Sequence, residues 1–146
     1  MAASPTPADA FRCDPATATD LPVACRCGLV AGRVSNARPS TVNRVVCYCD
    51  DCQAFAHALH RPDVLDAHGG SDIVQVAPAA LVFTAGEDRI AALRLSPKGL
   101  YRWYAGCCGT PLGNTVEPSL PFVGIPTAAI ALEAAELDAR IGAPRS

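Results

Sequence analysis

The sequence is poor in the residues that bind nucleic acids and in the long apolar runs that cross membranes. Lys98 is the only lysine among the 146 residues, and 14 acidic residues outnumber 12 lysines and arginines. Because proteins bind nucleic-acid phosphates through a basic surface, we expect no nucleic-acid partner. No stretch reaches the roughly 18 apolar residues that a membrane-spanning helix needs, so we expect no membrane span.

The first residues also lack the basic and apolar regions of a secretory signal peptide. Residues 1–21 are rich in alanine, proline and threonine and show no hydrophobic periodicity. We therefore expect a flexible N-terminal tail and a cytoplasmic protein, in a compartment where thiols stay reduced. Cys13 lies in this tail and is predicted to be a free thiol with no partner.

Nucleotide-binding glycine loops and internal repeats are absent too, and the length predicts a single domain. Short apolar stretches separated by glycine and proline instead predict a mainly β protein with helical pieces at its edges. Strands are predicted within 23–34, 41–47, 73–76, 81–84, 89–95 and 100–105, with the strand at 89–95 returning from a hairpin turn at 85–88. Helices are predicted over 53–59 and 127–141.

Cysteine is the residue type that carries the most information. Cys47, Cys49 and Cys52 form a C-x-C-x-x-C run that can reach one soft metal ion. Zinc takes thiolates at about 2.3 Å, and catalytic zinc typically has three protein ligands and one open position. Disulfides and inert buried thiols are the alternatives, but cysteines two residues apart bridge poorly and the expected compartment is reducing.

Two further cysteine pairs suit a second metal site. Residues i and i+2 of an extended segment project to the same face, so Cys25 and Cys27 can point at one ion. Together with Cys107 and Cys108 they would supply four thiolates, which is the donor set of a closed structural zinc site. Adjacent cysteines chelate one ion awkwardly, so the alternative for Cys107 is a small buried apolar residue.

Several other residues are weaker candidates for a functional role. His57 and His60 can share one helix face, where they would fill a zinc position or simply lie on the surface. Arg94 and Arg102 can bind a substrate carboxylate, although solvent-exposed arginines are the ordinary case. Strand alternation places Trp103 on the face opposite its neighbours, which we expect to be the core.

Three cysteine blocks, in this order, resemble a known family. They are C-x-C-G at Cys25–Gly28, C-x-C-x-x-C at Cys47–Cys52 and C-G-T-P-L at Cys108–Leu112. The set is similar to the glutathione-dependent formaldehyde-activating enzymes, a family that includes centromere protein V, over about residues 23–125. The resemblance implies a tent-like fold of small antiparallel sheets pinned by zinc, with short peripheral helices.

The resemblance also implies a domain organisation and two ligand sets. It predicts a zinc-binding β domain over residues 22–126, followed by a C-terminal helix and tail over 127–146. The structural zinc ligands that it implies are Cys25, Cys27 and Cys108. The ligands that it implies for the catalytic zinc are Cys47, Cys49 and Cys52.

The chain departs from the family pattern at three positions. The last block of the family usually reads C-x-x-C-G, and Ala105 stands here in place of its first cysteine. The structural site therefore loses one expected ligand unless Cys107 replaces it. Tyr48 stands where the family often has histidine, and Gln53 where it often has arginine. These differences are typical of a divergent branch.

By resemblance, the expected activity is that of a carbon–sulfur lyase. Such an enzyme acts on small thiol–aldehyde adducts of the S-hydroxymethylglutathione type, with glutathione or another small thiol as the implied partner. The three-thiolate zinc would bind the substrate sulfur at its open position. The alternative is a non-enzymatic, zinc-stabilised interaction domain, since similarity of fold does not establish activity.

Overall fold

The computed structural model describes residues 19–115 and 122–145. Within them the chain forms two antiparallel sheets and two α-helices, which confirms the predicted mainly β fold class. The predicted tail lies outside the described residues except for its last three positions, and Cys13 lies outside them as well. No helix in the described part is long and apolar enough to span a membrane.

The regular elements are short, and glycine and proline separate many of them. In chain order the strands are β1 (Leu21–Ala24), β2 (Ala31–Val34), β3 (Asn43–Cys47), β4 (Ser71–Val76), β5 (Leu81–Ala85), β6 (Ile90–Leu93), β7 (Tyr101–Ala105), β8 (Pro111–Thr115) and β9 (Val123–Pro126). The helices are α1 (Asp50–Ala58) and α2 (Ala134–Ile141).

The two sheets share one hydrophobic core. The smaller sheet has the order β1-β2-β5, and the larger has the order β3-β4-β9-β8-β7-β6. Leu21 and Val23 of β1 point into the core together with Val74 of β4 and Ile125 of β9. Strands β8 and β9 are buried on both faces, which is the position of central strands in the larger sheet.

Two strands that were predicted to form a hairpin belong to different sheets. The apolar alternation after Gly86 predicted that residues 89–95 pair back onto 81–84, and this is wrong. Strand β5 pairs with β2, whereas β6 pairs with β7. Gly86 turns the chain with φ +74°, and a Cβ there would lie 2.1 Å from the carbonyl oxygen of Leu29. The turn therefore packs against the β1–β2 connection and sends the chain to the other sheet.

The helix predicted over 127–141 is only half formed. A single 3₁₀ turn covers Thr127–Ala129, Ile130 forms a bridge with Val23 of β1, and the α-helix begins at Ala134. The helix propensity of the first half of this segment does not decide its conformation, because burial of Ile130 against the smaller sheet favours an extended backbone.

The two faces of β7 are reversed relative to the prediction. Trp103 is 38% exposed, and it is Arg102 that is buried in the core side of the sheet. The pairing of β7 with β8 shifts register between Trp103 and Tyr104, so Ala105 is also buried although it is three residues from Arg102. Such a bulge redirects side chains beyond what simple alternation predicts.

Candidate metal centres

Four cysteines from two distant turns form one group, the four-cysteine cluster. Its sulfur atoms all lie within 4.8 Å of one another and are positioned to hold a metal ion. The sulfur of Cys107 is 3.3 Å from that of Cys27 and 3.8 Å from that of Cys25, which in turn is 3.6 Å from Cys27. The fourth member is Cys108. The cluster joins the β1–β2 turn of the smaller sheet to the β7–β8 turn of the larger sheet.

Backbone hydrogen bonds shape both turns of this cluster. The N–H of Gly28 donates to the carbonyl of Cys25, and Gly28 has φ +82°, a conformation that favours glycine. The second turn is closed in the same way by Gly109, which has φ +76° and donates to the carbonyl of Ala105. The chain therefore folds back on itself at both turns, and the thiols of the two turns lie next to one another.

Thr110 connects the two turns beside the sulfur atoms. Its hydroxyl oxygen accepts a hydrogen bond from the backbone N–H of Arg26 at 2.9 Å and lies 3.1 Å from the sulfur of Cys108. The guanidinium of Arg61 donates to the same oxygen at 3.3 Å, and Asp63 holds Arg61 through an ion pair. Thr110 is fully buried, so these partners fix the cluster on its inner side.

Cys47, Cys49 and Cys52 form a second group, the three-cysteine cluster, where β3 passes into α1. The sulfur of Cys47 is 3.2 Å from that of Cys49 and 3.4 Å from that of Cys52, a spacing that is also suited to a metal ion. Cys49 caps the helix, because its sulfur accepts the backbone N–H of Cys52 at 3.4 Å.

The local sequence explains this helix start. The acidic pair Asp50-Asp51 occupies the first turn of α1. Carboxylates are favourable there because the N-terminal end of a helix carries partial positive charge. The helix thus begins three residues before its predicted start, and it places Cys52 on its buried side.

An open cavity of about 210 Å³ lies against the three-cysteine cluster. Its polar wall contains all three cysteines together with Gln75, Arg102 and Asn114, and its apolar wall contains Val45, Ile73, Leu100, Phe122 and Gly124. A small molecule in this cavity would contact the cysteines directly.

The thiols of the three-cysteine cluster differ in their tendency to ionise. Burial, followed by the neighbouring Cys49 and Cys47 thiols, raises the pKa of Cys52 to about 12. Burial also opposes ionisation of Cys49, but the backbone N–H of Cys52 and the thiol of Cys47 outweigh it and lower the pKa of Cys49. All three sulfur atoms become thiolates together only when a cation compensates their charge, as a bound metal ion does.

In the four-cysteine cluster, burial and hydrogen bonds again change the pKa of a thiol in opposite directions. Burial acts to raise the pKa of the Cys108 thiol, but hydrogen bonds from the Thr110 hydroxyl and from backbone N–H groups lower it to about 6. Cys108 is thus the member that ionises most readily. A thiolate at this position, beside three further sulfur atoms, is an efficient first ligand for a metal ion.

The seven cysteines that the sequence singled out lie in two clusters, one of four residues and one of three. Cys107 lies with the ligand candidates, whereas Ala105, which replaces the cysteine of the family pattern, is a fully buried core residue. The seven described cysteines are free of disulfides. His57 and His60 are exposed and lie outside both clusters, in agreement with the surface alternative.

Two residues of the site were missed or misjudged at the level of sequence. Arg102 was expected to be solvent-exposed by default, yet it is buried and donates to the sulfur of Cys52 at 3.8 Å. Asn114 of β8 accepts from the same guanidinium at 3.4 Å, and no motif marks it. Alternation separates Arg102 from Tyr101 and Trp103 but does not tell which of the two faces meets the core.

Comparison with known proteins assigns the chain to a family but gives it no function. Residues 17–144 match the model described as "Family of unknown function (DUF6151)", so the chain belongs to that family. No curated protein matches it. A crystal structure of a Rhodobacter sphaeroides protein from a structural-genomics programme is similar, with a TM-score of 0.58 and 14% identity over 86% of this chain and 100% of that one. At this identity the likeness concerns the fold alone.

Proposed function

We propose that this member of the DUF6151 family is a zinc-dependent enzyme that forms or cleaves the carbon–sulfur bond of a small thiol–aldehyde adduct. One observation carries the proposal: three cysteines lie together on the wall of an open cavity of about 210 Å³. Three protein ligands with one open position are typical of catalytic zinc, whereas structural zinc sites are closed. The resemblance of the cysteine blocks to formaldehyde-activating enzymes supports the same chemistry.

The donor atoms of both clusters fit zinc. Sulfur ligands about 2.3 Å from a tetrahedral ion lie about 3.8 Å from one another. Five sulfur–sulfur distances in the two clusters are 3.2–3.8 Å, and the remaining pairs in each cluster lie within 4.8 Å, so both sets are close to this spacing. Three thiolates and one divalent ion carry a net charge of −1, and the buried guanidinium of Arg102 is the cation beside them. We therefore assign zinc to the three-cysteine cluster and a structural zinc to the four-cysteine cluster.

The zinc would lower the pKa of a bound thiol, so the thiol reacts as a thiolate at neutral pH. The residues of the cavity would position the two reactants. Cys47, Cys49 and Cys52 fix the position of the reacting sulfur, and the apolar wall holds the aldehyde beside it. In the forward direction the thiol would lose its proton to water, and its sulfur would bond to the aldehyde carbon as the carbon–oxygen π bond breaks. The electron pair of that π bond passes to the oxygen, which takes a proton from water. In reverse the adduct hydroxyl loses its proton, the carbon–oxygen double bond forms again, and the carbon–sulfur bond breaks with its electron pair on sulfur.

A zinc-stabilised interaction domain is the second candidate. The four-cysteine cluster favours it, because that cluster joins the two sheets in the manner of a structural site. The open cavity beside the other cluster favours the enzyme, since a purely structural role does not require space next to the ligands.

Formaldehyde and a panel of small thiols, mixed with the zinc-loaded protein, test the proposal. We expect the hydroxymethyl adduct, followed by NMR, to form or exchange faster than in the uncatalysed reaction for at least one thiol. Cys49→Ser should return the rate to the uncatalysed value because it removes one ligand of the open site. The control is Cys27→Ser, which alters the other cluster and should retain activity at a temperature where it is folded. No acceleration with any thiol would favour the interaction domain.

A further inference from the structure

Arg102 is a buried cation for which the described residues provide no carboxylate. It is 2% exposed and lies on β7, within the larger sheet. Transfer of a charged group out of water is costly unless another charge or a set of hydrogen bonds compensates it. A buried guanidinium without an acidic partner is therefore a feature that needs an explanation.

Arg44, which is also buried among the described residues, has different hydrogen-bond partners from Arg102. Arg44 is 7% exposed, and its guanidinium binds Asp72 through two hydrogen bonds of 3.0 and 2.7 Å. It also pairs with Asp138 of α2 and donates to the carbonyl of Gly142. Compared with Arg44, Arg102 lacks both carboxylates.

The partners that Arg102 does have leave much of its donor capacity unused. One terminal nitrogen, Nη1, serves both the sulfur of Cys52 at 3.8 Å and the amide oxygen of Asn114 at 3.4 Å, and both distances are long. The guanidinium carbon lies 5.6 Å from the centre of the Phe55 ring. Nε is buried and has no hydrogen-bond partner. The guanidinium can therefore bind a further anionic group.

The space next to Arg102 determines what that group can be. A void of about 10 Å³ between α1 and the sheet is at the lower limit for one water molecule. The cavity of about 210 Å³ is large enough for a ligand, and Arg102 shares its wall with the three-cysteine cluster. It is smaller than the roughly 300–1,000 Å³ of sites for drug-sized ligands, so it favours a molecule of few atoms.

We propose that this cavity selects a small thiol that carries a carboxylate, and that Arg102 recognises the carboxylate. The inference rests on the proposed function, because the thiol sulfur is placed at the metal ion of the three-cysteine cluster. Since the guanidinium is 3.8 Å from the sulfur of Cys52, a short carbon chain links the two groups of such a ligand. The fork of an arginine side chain matches the two oxygens of a carboxylate. Gln75 and Asn114 supply amide groups on the same wall.

A matched pair of ligands tests this selectivity without any variant. The full-length protein, with cobalt(II) in place of zinc, is titrated with 3-mercaptopropionate and with its neutral amide, 3-mercaptopropionamide. Sulfur-to-cobalt absorption bands report the binding of each thiol. We expect the carboxylate to bind at least about 10-fold more tightly than the amide, because a hydrogen bond to a charged group is stronger than one to a neutral group.

Variants then assign the preference to a residue. Arg102→Gln should remove most of the preference for the carboxylate, and Arg102→Lys should retain part of it. The matched control is Arg94→Gln, because Arg94 is exposed and lies outside the cavity, against the ring of Tyr101. If Arg102→Gln does not fold, the wild-type comparison still decides whether the cavity prefers a carboxylate, and Arg102→Lys tests the role of Arg102.

The outcomes separate this inference from the proposed function. Equal affinities for the acid and the amide would overturn the selectivity and leave the lyase proposal in place. A preference that persists in Arg102→Gln would overturn the role of Arg102. If neither thiol changes the cobalt spectrum, the metal has no position open to thiols, and both the selectivity and the proposed function are wrong.

Discussion

Cys52 is the residue on which the three-cysteine cluster depends most. It is buried in the first turn of α1, its sulfur lies 3.4 Å from that of Cys47, and its backbone N–H donates to the sulfur of Cys49. One residue thus supplies a ligand and orients another. The guanidinium of Arg102 approaches the same sulfur from the sheet, so three elements of the fold meet at this atom.

Substitution of Cys52 should therefore remove one metal ion and spare the other. For Cys52→Ser we expect the zinc content to fall by about one equivalent per chain, because two thiols rarely hold zinc and the four-cysteine cluster is untouched. Elemental analysis of the purified variant measures this directly. Cys13→Ser is the matched control, since the sequence predicts no ligand role for Cys13, and its zinc content should equal that of the wild type.

Gly86 illustrates how one residue directs the chain between sheets. Gly86→Ala should lower the free energy of unfolding by more than about 2 kcal/mol, because the new Cβ would lie 2.1 Å from the carbonyl oxygen of Leu29 at a strained positive φ. Gly28→Ala has positive φ but no atom within 4 Å of its Cβ, so its cost should be smaller. Urea unfolding of both variants at full zinc content measures the difference. Equal losses would mean that the contact with Leu29 is easily relieved.

For single residues, the sequence predicts those contacts that depend only on how far apart two residues are along the chain. The C-x-C and C-x-x-C intervals place sulfur atoms within reach of one another whatever the surrounding fold, and Cys47 and Cys49 are adjacent in space as expected. Burial of Arg102 depends instead on which face of β7 meets the core, and the packing of the two sheets decides that face. Residue patterns within one strand contain no information about its neighbour.

At the scale of elements, the four-cysteine cluster connects two turns that are far apart in sequence. Its metal ion would hold the β1–β2 turn against the β7–β8 turn, and structural zinc contributes directly to the free energy of folding. Cys27→Ser leaves three thiolates, so it should weaken zinc binding at this cluster and lower the melting temperature by more than about 5 °C.

Thermal unfolding and elemental analysis of the same sample check this expectation. Treatment of the wild-type protein with a strong chelator should produce a decrease at least as large. If Cys27→Ser melted like the wild type, the four-cysteine cluster would hold no metal in the native protein.

Helix α2 stabilises the edge of the larger sheet through two buried side chains and one ion pair. Leu137 and Ile141 are buried in the core, and Asp138 pairs with Arg44 of β3. Leu137→Ala should lower the free energy of unfolding by about 2–5 kcal/mol, as for other large-to-small changes in a core. Glu136→Ala, on the exposed side of the helix, should change it by about 0.5 kcal/mol or less. Denaturant unfolding at constant zinc content compares the two, and similar effects would show that α2 is not packed as described.

Strands with a regular run of strand-forming residues were predictable, and strands interrupted by glycine and proline were not. The predicted strands at 41–47 and 73–76 correspond to β3 and β4, within two residues at each end. Strands β8 and β9 were not predicted because Pro-Leu-Gly-Asn-Thr and Val-Gly-Ile-Pro contain the residues that usually interrupt strands. Their pairing is favoured by burial on both faces, which is a property of the whole sheet.

At the scale of the whole molecule, the larger sheet positions both clusters. The three-cysteine cluster lies at the end of β3, an edge strand, and the four-cysteine cluster lies at the β7–β8 turn. The first cluster borders an open cavity, whereas the second links the two sheets. This division suits one site for chemistry and one for stability.

The assignment of one zinc ion to each cluster is tested most directly by the zinc-to-chain ratio of protein purified without chelators. Two separate cysteine clusters, each with donor atoms within 4.8 Å of one another, predict two zinc ions per chain, with all seven described cysteines protected from alkylation until the metal is removed. A ratio near zero, with thiols that react at once or are paired as disulfides, would contradict both the metal assignment and the proposed function.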